Sequence, residues 1–120
     1  MKNIIAVCFG IVSTLALAHY GVYVLGQVKS PHGNTAIVNP NETAKIRTVE
    51  FANLGESDII ITHMRFYGSQ SEIYLTPDEL TIHPGESVKE MFSEYPVLVD
   101  SMEFNVRGTT NLLEVRGIID

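Results

Sequence analysis

The chain has 120 residues and a net charge of −6, with 8 Lys and Arg against 14 Asp and Glu. That length allows one domain, and so acidic a surface repels phosphate backbones, which excludes nucleic acid as a partner. Cys8 is the only cysteine and lies in an apolar run, so the folded part has no disulfide, thiol nucleophile or thiolate metal site.

Lys2 precedes an apolar stretch, Ile4 to Ala18, that closes on the small residues Ala16 and Ala18. A basic start, a short apolar core and an A-x-A pattern before His19 predict a secretory signal peptide over residues 1–18. The competing reading is a transmembrane signal anchor over residues 4–26, long enough to cross a bilayer as a helix. Either way the rest is exported, to a periplasm or cell surface, with Lys2 on the cytoplasmic side.

Residues 19–33 read as an N-terminal strand or linker. Tyr20, Val22, Val24 and Val28 alternate with Gly21, Tyr23, Gln27 and Lys29. These apolar residues are candidate interaction positions, as a strand donated to a neighbour's sheet. Alternatively they belong to the first strand of their own domain.

From residue 34 to 120 the pattern is short apolar runs between turn clusters, with no sustained helical period, so the fold class is all-β. Thr35 to Val38 is a strand ended by Asn39-Pro40-Asn41. Asn41-Glu42-Thr43 is a glycosylation sequon on that turn. Lys45 to Asn53 follows, with a phase shift between Ile46 and Val49 that signals a bulge or twist. Ile59 to Tyr67 is apolar on both faces at its start, as in a strand at the centre of a sheet. Glu72 to Leu75, Leu80 to Ile82 and Ser87 to Phe92 complete the middle, with Asp78-Glu79 as a solvated carboxylate pair in a turn. Met102, Phe104 and Val106 then alternate with polar residues, as do Leu113, Val115 and Ile119. This predicts a half-buried antiparallel hairpin. The sum is an antiparallel β-sandwich of about seven strands.

The run Val49 to Ile61, with Asn53-Leu54-Gly55 before a polar turn, resembles strand pairs of exported immunoglobulin-like modules. Leu80-Thr81-Ile82-His83-Pro84-Gly85-Glu86-Ser87-Val88 is similar to their Pro-Gly-Glu-Ser turn. This grammar is shared by abnormal-spindle and Hydin modules and by the N-terminal domains of pilus chaperones. The resemblance implies an immunoglobulin-like sandwich and no activity. Asn53 and Gly55 suit left-handed turn positions, and Pro84-Gly85 suits a type II turn. The layout, an apolar segment before such a domain, is also similar to archaeal-type pilins and archaellum accessory proteins.

No serine elbow, phosphate loop or convergent carboxylate pair marks a catalytic site, and no cofactor is expected. The expected function is a non-enzymatic structural or protein-interaction module of the cell envelope or surface, as a filament or complex subunit. Its partner would be another protein or copies of itself. One alternative is a membrane-anchored accessory subunit. Another is an exported copper carrier using His63, Met64, His83, Met91 or Met102.

Overall fold

The computed structural model describes residues 21–41, 43–108 and 112–119. Tyr20, residues 1–18 and most of the 4–26 stretch therefore lie outside the described residues. Ten strands occur among those described. In chain order they are β1 (Val22–Lys29), β2 (Gly33–Val38), β3 (Lys45–Ile46), β4 (Thr48–Asn53), β5 (Ile59–Gly68), β6 (Ile73–Thr76), β7 (Leu80–Ile82), β8 (Ser87–Met91), β9 (Val97–Arg107) and β10 (Leu112–Ile118).

Two antiparallel sheets face each other. The first has the order β1-β10-β4-β8 and the second β2-β9-β5-β6, with β3 added against β9 and β7 against β5. The two-layer build is what the alternating pattern implied. The connectivity, which the sequence left open, is that of a jelly roll, with early and late strands interleaved in both sheets. An immunoglobulin constant domain instead groups its strands as ABED and CFG. The described strands number ten because the expected strand Lys45 to Asn53 divides into β3 and β4 and because β1 is a full member of the first sheet.

Strand alternation places one face of each sheet inward. Val49, Phe51, Leu113 and Val115 line the first sheet, and Ile59, Ile61, Met64, Phe66, Met102, Phe104 and Val106 line the second; all are buried. Phe51 and Phe104 meet edge to face across the two layers, centroids 5.6 Å apart. Phe66 stacks on Phe92 at 4.1 Å. Burying a side chain of this size stabilises by about 1.5–3 kcal/mol.

The phase shift after Ile46 has a larger cause than a bulge. The chain changes sheets there. Ile46 pairs with Val97 of β9 in one layer, while Thr48 to Ala52 pair with β8 in the other. Ile46 and Val49 are both fully buried, each from its own sheet.

The expected terminal hairpin is corrected. β9 pairs with β2, β3 and β5, and β10 pairs with β1 and β4. The two strands lie in opposite layers. Alternation reports that one face is buried and carries no information on which strand lies alongside.

In β1, Tyr23 and Leu25 face the core, and Val24 is exposed while Val22 is half-buried. A register shift between Val24 and Gly26 then reverses the phase. As a result Val28 packs against the core from the same strand.

Glu90 is one of the few polar side chains buried among the described residues. It stands opposite Val49 in the register, which turns it inward, and only 9% of it is exposed. Burial and the neighbouring Asp78 carboxyl push its carboxyl up to about 7. The folded state therefore holds a proton that the unfolded chain, at its ordinary 4.5, has released. Stability is full below that value and falls as pH rises toward 7. Glu90→Gln should abolish this decline and stabilise the domain by about 1–2 kcal/mol at pH 8. That figure is less than the full shift implies, because solvent screens Asp78. Urea titrations at pH 5 and pH 8 measure it. Equal pH dependence in both proteins would dissociate Glu90 from the effect.

Candidate binding face

The two outer faces differ in how well their polar groups are satisfied. On the first sheet, Arg116 donates to Glu50 at 3.1 Å and to Glu114 at 2.6 Å, and Gln27 donates to Glu114 at 2.8 Å. Four side chains from β1, β10 and β4 thus engage one another.

The outer face of the second sheet is built in cross-strand rows. Asn34, Asn105 and Thr62 form the first, and Ala36, Glu103, Arg65 and Leu75 the second. Val38, Ser101, Tyr67 and Ile73 form the third. The Tyr67 hydroxyl donates to Glu103 at 2.7 Å. The Arg65 guanidinium and the Asn34 amide have no hydrogen-bond or ion-pair partner among the described residues.

Between the first two rows β5 bulges. Thr62 pairs with Asn105 and Arg65 with Glu103, so His63 and Met64 together oppose Phe104 alone. His63 has φ 53°, a conformation that glycine usually supplies at the first position of such a bulge. An L-residue there carries about 1–3 kcal/mol of strain. The bulge sends Met64 into the core and His63 out onto the face. Its Nδ1 lies 3.0 Å from Thr62 Oγ1 and 3.3 Å from the Asn105 amide nitrogen.

Three surface concavities meet at His63. One of about 300 Å³ is lined by Asn34, Ala36, Arg65, Glu103 and Asn105. A second, about 530 Å³, extends past Thr62 and Asn105 to His32, Glu79 and Arg107. A third, about 380 Å³, runs past Arg65 to Leu75 and Pro77. Together they form a trough that crosses the strands. Arg107 at one end pairs loosely with Glu79 at 3.6 Å.

This arrangement offers hydrogen-bonding amides, an imidazole and a guanidinium. Its chemistry is recognition by hydrogen bonds and charge. Among the described residues no three His, Cys, Asp or Glu side chains group so as to hold a metal ion. The expected copper ligands are not brought together. Met64 and Met102 are core residues, and His63 leaves β5 on the opposite side from Met64. Met91 is exposed on β8 of the other sheet, and His83 bonds Asp58 at 2.8 Å.

Val22, Val24 and Val28 lie on β1, away from the trough. Asn41 is half-buried. Its side-chain oxygen accepts from Thr43 Oγ1 at 3.1 Å, and its backbone N–H donates to Asn39 at 2.9 Å. Sequence reasoning passed over Asn34, Arg65 and Asn105. They appear in the sequence as ordinary polar positions of alternating strands, and only the pairing register aligns them.

No protein-family model matches the chain, and no curated protein sequence matches it. Solved structures do resemble it. AlgX of Pseudomonas aeruginosa matches with a TM-score of 0.55 at 9% identity, over 81% of this chain and 27% of that one. The likeness is one of fold. This chain spans about a quarter of the length of AlgX. The Anabaena sensory rhodopsin transducer matches with a TM-score of 0.43 at 16% identity, over 75% and 99% of the two chains. A carbohydrate binding module of Cel9A from Ruminococcus flavefaciens matches with a TM-score of 0.47 at 8% identity, over 78% and 96%.

Proposed function

We propose that this domain is a non-enzymatic binding module, exported to the cell envelope or surface, that holds an envelope component in the trough on its second sheet. The observation that carries this reading is the strained His63 in the bulge, around which three concavities converge beside unengaged polar groups. Strain and bulges concentrate where a side chain must be aimed. Export follows from the basic and apolar N-terminal segment.

A second reading is assembly of copies through the edge strand β6, where Ile73 and Leu75 are 57% and 66% exposed. One sedimentation experiment addresses both. The full chain should co-sediment with isolated envelopes of its own source cells. Ala36→Arg, which fills the trough from an exposed position, should reduce that at least tenfold with unchanged thermal unfolding. Lys89→Ala on the other sheet should leave it unaltered. Equal retention of wild type and Ala36→Arg would sink the trough reading. A chain that sediments without envelopes would favour copies.

A further inference from the structure

Resting on the reading of this face as the binding face, we propose that the trough takes a carboxylate-bearing sugar chain. Arg65 pairs the carboxylate, and Asn34, Asn105 and His63 take ring hydroxyls.

Arg65 is the first reason. The residue across from it on β9 is Glu103, whose carboxylate turns to the Tyr67 hydroxyl at 2.7 Å and makes no ion pair with Arg65. The guanidinium is left on an open surface without a partner among the described residues. Its planar fork matches a carboxylate through two parallel hydrogen bonds. In a chain of net charge −6, this group favours an anion locally against the overall field.

The amides are the second reason. Asn34 and Asn105 stand opposite each other across β2 and β9. Each presents donor and acceptor sites in one plane. Adjacent hydroxyls on a sugar ring both donate and accept, so such a pair suits them. Asn105 reaches only His63, at 3.3 Å, and Asn34 reaches no described side chain. These groups sit on paired strands, which fixes their spacing before a ligand arrives.

The direction of the trough is the third reason. It runs across β2, β9 and β5, and the two inner strands β9 and β5 have neighbours paired on both sides. A peptide gains most by lying along a sheet edge, whereas the trough runs across the strands and meets the edge strand β2 only at one end. A sugar chain is recognised by side chains alone and needs no edge.

Calorimetric titration of the full chain tests this with three probes. They are a hexamer of (1→4)-linked uronic acid, the same hexamer with its carboxyls reduced to alcohols, and a hexamer of glutamate. The uronate should bind, and the reduced hexamer should bind at least tenfold more weakly. Arg65→Ala should weaken the uronate about tenfold and leave the reduced hexamer unchanged. Arg65→Lys should recover part of the loss, and Asn105→Ala should weaken both sugars. Raising salt should weaken only the uronate. Thermal unfolding of each variant, expected unchanged for exposed Arg65 and little changed for half-buried Asn105, separates binding from folding.

Equal binding of the two sugars, or an Arg65-dependent preference for the glutamate hexamer, overturns the inference. So does failure of all three probes to bind. If Ala36→Arg still abolishes envelope binding in those cases, the face stands and only its ligand was misassigned. If Ala36→Arg has no effect there, the face itself fails.

Discussion

Phe51→Ala should destabilise the domain by about 3–5 kcal/mol, enough to leave much of it unfolded at 37 °C. Phe51 is fully buried on β4, between Val115 and Val88 in the register, and its ring meets Phe104 of the opposite layer edge to face. Truncation removes the ring contact and leaves a cavity between two sheets that a small domain cannot readily close. The loss falls on the joint between layers, so both sheets should unfold together. Urea titration followed by circular dichroism measures the cost, with Val24→Ala on the outer face as a control expected within about 0.5 kcal/mol of wild type. A loss below 1 kcal/mol would show that the layers do not meet through this pair.

Asn53→Ala should be almost as damaging, at about 2–4 kcal/mol, although it removes no apolar contact of note. The Asn53 side chain is fully buried at the end of β4. Its amide nitrogen donates to the Ser57 and Ile82 carbonyls at 2.7 and 2.8 Å, and its oxygen accepts from the Gly55 N–H at 2.9 Å. Its backbone also bonds Glu86 and Gly85. One residue therefore ties two turns to the sheet. Alanine leaves the buried Ile82 carbonyl without its donor, and each such orphan costs about 1–3 kcal/mol. Asn53→Asp should keep the Gly55 bond yet set a carboxylate against two carbonyl oxygens, so it should be at least as unstable at pH 7 and recover in acid. Amide exchange at Gly55 should quicken in both variants. Unaltered exchange together with wild-type stability would remove Asn53 from this role.

The same residue shows how far the sequence could be read. Asn53 was legible as part of a turn signature, and the turn is there. Its work is that of a buried cross-link, and it is absent from the non-glycine residues with positive φ. Gly85, by contrast, has φ 78°, as a Pro-Gly turn requires. Period-two alternation revealed the strands and their buried faces because that signal is local. Sheet membership is not local: the step from Ile46 to Val49 was visible as a phase shift, but nothing nearby states that the chain crosses to the other layer. The trough was less legible still. Arg65, Asn34 and Asn105 come together only through the register of three strands, and His63 takes a conformation that its residue type disfavours.

β10 lies between β1 and β4, although it comes after every other described strand. Until it has been made, those two strands are separated by an empty slot, and the first sheet cannot close. Such non-local pairing makes for slow, late assembly. A chain made only as far as β9 would thus hold β1 and β4 without the strand that joins them, and would stay pliable until β10 fills the gap.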